Sequence, residues 1–330
     1  MGLPQNNDFQ NLILEGIHRY GSVYGSSRNG NLQLDIYEEV ERKLAAWTGA
    51  EAALTLSSGM LAGQAAIRQL MLESFTFFYS PDVHPAVWHL PQVEIPHISF
   101  ETWVTQSLQR LNNADKKSKI GLVTNSVDAL RGQLYDFEWI SNIPLSTESE
   151  FVVLIDDSHG IGITGIEGRG IMSRIEKHPN VRIIVTASLA KAMGLPGGVI
   201  LSDTNTLQSI RNSAYFGGCS PIAPNHLYAY CNAGLLYASA YQRLQSNIKT
   251  FVSTIQNLQL FSFTEGYPVF YTQHDSLYTF LLERGIFIYS FSYPKPTDKA
   301  NTRIVISAWH TPEDIQKIGQ ACHDFALQIK

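Results

Sequence analysis

Lys191 carries the only charge in the stretch SLAKAMGLPGG, residues 188–198. An amine among such small and apolar neighbours is either a solvated loop charge or a desolvated group. Desolvation lowers an amine's pKa, and a neutral amine attacks carbonyl carbon. Other reactive groups fall at the ends of strand-like runs. Asp156 ends FVVLID (151–156), with His159 just beyond it in DDSHG, and Thr186 and Ser188 follow the run VRIIV. Ser57, Ser58 and Gly59 end AALTLSS (52–58) and open the helix-like MLAGQAAIRQLM (60–71). The free N–H groups of a helix's first turn suit an anion, and glycine permits its close approach. Taken singly, such a serine is a cap, paired aspartates are a turn and a lone histidine is structural. Taken together they are a phosphate cup, a carboxylate, an imidazole and an amine.

These groups meet only if the elements carrying them share one sheet edge. Apolar runs at 52–58, 120–127, 151–156, 181–186 and 197–202 alternate with helix-like segments or long connections. That texture predicts an α/β fold, a mostly parallel sheet with helices on both faces. In such sheets ligands sit at the carboxyl ends of the strands, where these residues fall. From about residue 224 the pattern changes to long helices, then short strands (PVFYTQ, IFIYSFSY, TRIVISA) and a terminal helix capped by Thr311 with Pro312 at its first position. The expected division is an N-terminal helix at 1–25 joining the small domain, a large α/β domain at 26–225 and a small α+β domain at 226–330.

Bulk properties narrow the classes. The 330 residues are 44% hydrophobic and 16% charged, enough for a sizeable core, and the net charge of −5 leaves no footprint for nucleic acid or an anionic membrane. Cys219, Cys231 and Cys322 form no metal-ligand motif and suit a reducing compartment. The sequence shows neither a signal-peptide pattern nor an apolar run of membrane-spanning length, so a cytoplasmic protein is expected.

An aldehyde-bearing phosphate ester would use every member of the set, and pyridoxal 5'-phosphate is a ligand of that kind. An amine condenses with its aldehyde, a carboxylate keeps its pyridine nitrogen protonated, and hydroxyls with a helix start hold its phosphate. The motifs sharpen this. VLIDDSHGIGITGIEGRGI (153–171) resembles the D-[DE]-[AS]-H-x-x-G-x-x-G-x-x-G-R-G signature of the α-oxoamine synthases, which include 8-amino-7-oxononanoate synthase and 2-amino-3-ketobutyrate CoA ligase. SLAKAMGLPGG is similar to that family's lysine motif, with Ser188 where threonine is usual. LAAWTGAEAALTLSSGMLAGQAAI (44–67), PDVHPA (81–86) and TRIVISAWHTPEDI (302–315) resemble its further segments, in the same order.

The resemblance implies a fold-type-I pyridoxal-phosphate-dependent transferase acting as a homodimer with shared active sites. It makes Lys191 the Schiff-base lysine and proton shuttle, and Asp156 the partner of the pyridine nitrogen. His159 would support that pair or bond the ring oxygen, and His84 would stack on the ring. Ser188, with Gly59 and Met60 through their backbone and Ser58 beside them, would hold the phosphate; Ser220 would reach it from a neighbouring subunit. Arg303 would receive the substrate carboxylate, with Arg28 a second substrate-facing candidate. Departures also stand out. The chain opens close to the tail of the family's N-terminal motif, so its N-terminal arm is expected to be missing or replaced; by the resemblance, Tyr37 stands where many members have histidine, and Asn125 and Ala129 occupy acidic and serine positions near the cofactor. FSYPKP (291–296) is a candidate pocket segment.

The implied reaction condenses an amino acid with an acyl thioester. The alternative is an aminotransferase exchanging an amino group between an amino acid and a keto acid. A non-catalytic relic of the fold is the third reading.

Overall fold

The computed structural model describes residues 1–146, 148–292 and 297–329. The chain divides into two compact units, one of residues 6–127 and 135–234, the other of 1–5, 128–134 and 235–330.

The larger unit is built on a six-stranded sheet. In chain order its strands are β1 (Ala52–Leu56), β2 (Thr76–Tyr79), β3 (Lys119–Asn125), β4 (Glu150–Asp156), β5 (Val181–Ser188) and β6 (Gly198–Ser202). Their spatial order is β1-β6-β5-β4-β3-β2. Strands β2 to β5 pair in parallel, and β6 runs antiparallel to both β5 and β1. Val152, Val153, Leu154 and Ile155 are successive and all buried, so both faces of β4 are covered. The edge strand β2, short and aromatic, has no counterpart among the runs recognised in the sequence.

Helix α3 (Gly59–Leu72) lies over this sheet through Ala62, Ala65, Ala66, Ile67 and Leu70, and its small residues admit close neighbours. A Cβ at Gly63 would stand 2.4 Å from the Ala86 carbonyl oxygen. Helices α1 (Asn7–Tyr20), α2 (Ile36–Thr48), α4 (Phe100–Asn112), α5 (Thr204–Arg211), α6 (Ala214–Gly217) and α7 (Pro224–Asn232) complete this unit. Placement of α1 here corrects the expectation that it joins the small domain. Its Gly16 packs directly on the backbone of Asn225 in α7, where a Cβ would come within 2.6 Å.

A buried ionic cluster ties the loop before α2 to the sheet. Glu41 accepts from Arg28 Nη2 at 3.1 Å, Arg211 Nη2 at 3.1 Å and the Thr55 N–H at 2.8 Å. Arg28 is only 4% exposed and lies over the rings of Tyr37 and Phe216. The expectation that it faces substrate is therefore corrected: its guanidinium is consumed by Glu41 and two aromatic faces. Tyr37, in its turn, donates to the Ile222 carbonyl at 2.7 Å.

The smaller unit holds a four-stranded antiparallel sheet of β7 (Ser262–Phe263), β8 (Val269–Thr272), β9 (Tyr289–Ser292) and β10 (Ala300–Val305), ordered β9-β10-β8-β7. Helices α8 (Gly234–Ile255), α9 (Ser276–Leu282) and α10 (Pro312–Gln328) accompany it. Thr311 and Asp314 form a reciprocal capping box at the start of α10. Gly319 admits Thr254 of α8, whose Cγ2 would lie 2.4 Å from an added Cβ. The boundary thus falls at 234/235 rather than 225/226, and the excursion at 128–134 joins this unit instead of the large one. Among the described residues no helix is long and apolar enough to cross a membrane.

Removing one member of a buried ion cluster strands the others without water. Glu41→Ala is expected to cost about 3–5 kcal/mol of unfolding free energy, read from urea denaturation. Arg211→Ala should cost less, because Arg28 and Glu41 stay paired.

Candidate active site

Two parallel strands, β3 and β4, end level with one another, and their neighbour β5 runs two residues further along β6. Asn125 of β3 pairs with Asp156 of β4, and Asp156 with Thr186 of β5. Beyond this rung the chain is stitched by its own polar groups. The Asp157 N–H donates to the Thr186 carbonyl at 2.7 Å, and the Ser158 N–H to Asp156 Oδ1 at 2.9 Å. Ser158 Oγ in turn accepts the Ser188 N–H at 2.8 Å. Asp156 is 7% exposed, so these bonds fix a carboxylate whose other oxygen, Oδ2, points to the site.

The loop after Asp156 folds around a second acid. Asp157 is wholly buried, and its Oδ2 accepts the Ile171 N–H at 2.9 Å. Gly160 and Gly170 crowd it so closely that added Cβ atoms would stand 2.0 Å and 2.3 Å from its two oxygens. The Gly162 N–H reaches the Gly168 carbonyl at 2.7 Å and the Gly170 N–H that of Thr164 at 2.9 Å, closing the loop on itself. This explains the glycines at 160 and 170: the loop wraps a carboxylate that has no room beside it. Burial, opposed by Ser126 and the Ile171 N–H, pushes the Asp157 carboxyl up to about 7. His159 is carried on this loop.

Lys191 projects from a second closed loop. The Leu189 N–H bonds the Gly197 carbonyl at 2.9 Å, and the Leu195 N–H bonds that of Leu189 at 3.0 Å. Leu189 and Met193 turn inward and are buried, while Lys191 itself is exposed. Its apolar neighbours therefore anchor the loop rather than wrap the amine, and of the two settings the composition left open the exposed one is found. Lys191 Nζ lies 2.7 Å from His159 Nε2, so the lysine and the glycine-rich loop meet at these two nitrogens.

His84 reaches Asp156 from the far side of β3. Its Nδ1 stands 3.7 Å from Asp156 Oδ2 and accepts the Ala86 N–H at 3.1 Å. Burial holds its pKa below the ordinary value, the nearby Lys191 charge adds to that, and Asp156 opposes it. Two amide side chains grip this segment. Gln64 of α3 donates to the Ala86 and Trp88 carbonyls, each at 3.0 Å, and Asn125 holds residues 82 and 84. Asn125 was expected to touch cofactor; both of its polar atoms are engaged by the chain itself. Gln64, Asp157 and Ser158 are absent from the sequence-derived set; the second and third positions of the quoted signature were the signal for Asp157 and Ser158, and nothing in the sequence points to Gln64.

At the other end of the cluster, α3 begins against β5. Ser58 Oγ caps the Leu61 N–H at 3.1 Å, so its hydroxyl serves the helix. The Gly59 and Met60 N–H groups belong to the open first turn and have no intrahelical acceptor. A Cβ at Gly59 would lie 2.5 Å from Ser188 Cβ, and one at Gly198 would lie 2.4 Å from the Ser58 carbonyl oxygen. Serine hydroxyl, free amides and a cradle open only to glycine fit a phosphate, while lysine and buried carboxylate fit an aldehyde and a pyridine nitrogen. Pyridoxal phosphate therefore matches the residues present. Ser220 is exposed and shares a small cavity with Ser57 and Cys219, with no bond to the cluster among the described residues.

Arg303 belongs to the smaller unit. It donates to the Ala129 carbonyl, stacks over Phe291 and Tyr289, and keeps a buried Nε without a partner among the described residues. Phe291 and Ser292 form the end of β9; the rest of FSYPKP, 293–296, lies outside the described residues.

This sheet order, with a separate antiparallel-sheet unit, is the fold-type-I architecture of pyridoxal-phosphate enzymes. Serine palmitoyltransferase from S. paucimobilis with a bound pyridoxal phosphate–myriocin aldimine superposes with a TM-score of 0.82 at 20% identity, covering 99% of this chain and 85% of that one. The 8-amino-7-oxononanoate synthase of Francisella tularensis superposes at 0.74 and 20% identity, covering 100% and 96%. Residues 4–321 match the family model for aminotransferase class I and II. In sequence, 8-amino-7-oxononanoate synthase of Thermosipho melanesiensis is 27% identical over 346 residues, 99% of this chain and 84% of its own length. The chain belongs to the aminotransferase class I and II family and, within it, to the α-oxoamine synthase group.

Two outcomes test the local geometry. Gly59→Ala should weaken pyridoxal phosphate binding by about tenfold or more, roughly 1.4 kcal/mol, in a fluorescence titration; unchanged affinity would move the anion away from the helix start. Asp157 holds its proton to higher pH in the folded than in the unfolded state, so its contribution to stability falls as pH rises from about 4 to about 7. Asp157→Asn lacks that loss. The stability difference should thus shift in the variant's favour across this window, by up to about 4 kcal/mol, in melts taken at successive pH values.

Proposed function

We propose that this chain is a pyridoxal-phosphate-dependent α-oxoamine synthase, condensing an amino acid with an acyl thioester such as an acyl-CoA. The observation that carries the reading is the Lys191–His159 pair at 2.7 Å, on loops anchored to the same strand ends as Asp156. When bound, pyridoxal phosphate supplies an electron-withdrawing ring that stabilises a carbanion at the amino acid's α-carbon. Asp156 holds a proton at the pyridine nitrogen, its carboxylate kept oriented by the Ser158 N–H. His84, with Nδ1 turned to the Ala86 N–H, offers its ring as a flat wall for the heterocycle. Ser188, Gly59 and Met60 bind the phosphate. Lys191 Nζ is the base that removes the α-proton, and His159 Nε2 fixes the amine's direction.

Arg303 receives the substrate carboxylate. Its guanidinium lies over the Tyr289 and Phe291 rings and keeps a buried Nε–H to spare, and a planar guanidinium suits a carboxylate. The same reading carries a homodimer with active sites at its interface, Ser220 serving the neighbouring subunit's phosphate.

Borohydride treatment of the protein loaded with pyridoxal phosphate should fix the cofactor on the Lys191 peptide, and Lys191→Ala should abolish the label. Addition of an amino acid and an acyl-CoA should release free CoA thiol without keto acid. Keto acid released from the amino acid alone would make the protein an aminotransferase, and absence of the label would favour a non-catalytic relic.

A further inference from the structure

Asn125 occupies the last position of β3 and is nearly buried, at 7% exposure. Its Oδ1 accepts the His84 N–H at 3.1 Å, and its Nδ2 donates to the Asp82 carbonyl at 2.8 Å. The side chain thereby makes the two bonds that one more residue of backbone would make. The β2–β3 pairing continues as far as the Ser80 N–H, which reaches the Val123 carbonyl at 2.9 Å. Just beyond, Asp82 takes a left-handed backbone with φ of 56° and the chain turns off the sheet. The Asn125 amide closes that turn from the β3 side, and Gln64 holds residues 86 and 88 from the helix side. His84 lies between these two grips, 3.7 Å from Asp156.

Only a carboxamide satisfies both partners at 125. A carboxylate would accept from His84 but could not donate to Asp82, leaving two acceptors opposed. It would also set a second negative charge beside Asp156, its register partner on β4. We infer that Asn125 is a positioning residue for His84: its amide bridges Asp82 and His84 and sets the imidazole against Asp156. The functional consequence rests on the proposed pyridoxal phosphate site, but the bridge itself does not.

The test therefore reads the bridge and the site separately. In the wild-type protein the His84 backbone amide should exchange with solvent at least about a hundredfold slower than a free loop amide, and Asn125→Ala should remove that protection while leaving Val123 unchanged. A freely exchanging His84 amide in the wild type overturns the proposal without needing any variant. For the site, Asn125→Asp and His84→Ala should each weaken pyridoxal phosphate binding about tenfold, and the double variant should be no weaker than His84→Ala alone. Multiplying effects would mean that Asn125 acts apart from His84, against the inference. Should pyridoxal phosphate fail to bind the wild type at all, the functional reading falls and the exchange measurement still decides the bridge.

Discussion

Register between the central parallel strands is the constraint from which the candidate site follows. Asn125, Asp156 and Thr186 stand on one rung, so two chains leave the sheet at the same level beside a third that continues to Ser188. Each then has to satisfy freed backbone groups close to the others, and the polar residues there do so mutually. Ser158 bonds across to β5, Asp157 to Thr186, and Asn125 to the turn after β2. A slip of one residue would send Asp156 to the opposite face of the sheet and dissolve the arrangement.

Two carboxylates lie side by side on this edge, and surroundings separate them. Asp156 has one oxygen tied by a backbone N–H and one facing His84. Asp157 is enclosed by glycines with no room for any side chain. One turns an oxygen toward His84, the other shapes the loop that brings His159 to Lys191. The cost of enclosing a carboxylate is borne by the fold and is visible in its raised protonation range.

Much of this was legible in residue order. Strands β1 and β3 to β6 are apolar runs, and Asp156, His159 and Lys191 sit at or just beyond their ends by simple counting. Partnership across the chain was not legible. Helix α1 shows an apolar stripe, but only the fit of Gly16 on Asn225 reveals which unit it serves. Arg28 reads like any loop arginine until Glu41, thirteen positions later, is seen to neutralise it. His84 came from motif resemblance alone, since its placement depends on amides at 64 and 125, which no local pattern connects to it. The edge strand β2 is four residues long, too short for alternation to be told from chance.

The smaller unit gathers residues 1–5, 128–134 and 235–330, so the chain passes between the two units four times. On a ribosome that threading imposes a timetable. Residues 6–127 and 135–234 emerge first and hold every strand of the six-stranded sheet. The segment 128–134 has to wait, as a loop, for strands β8 to β10 to be synthesised about 135 to 170 residues later. Arg303, which bonds Ala129 in that loop, is among the last residues to arrive. The nascent chain thus completes the sheet edge bearing Lys191 before it can complete the surroundings of Arg303.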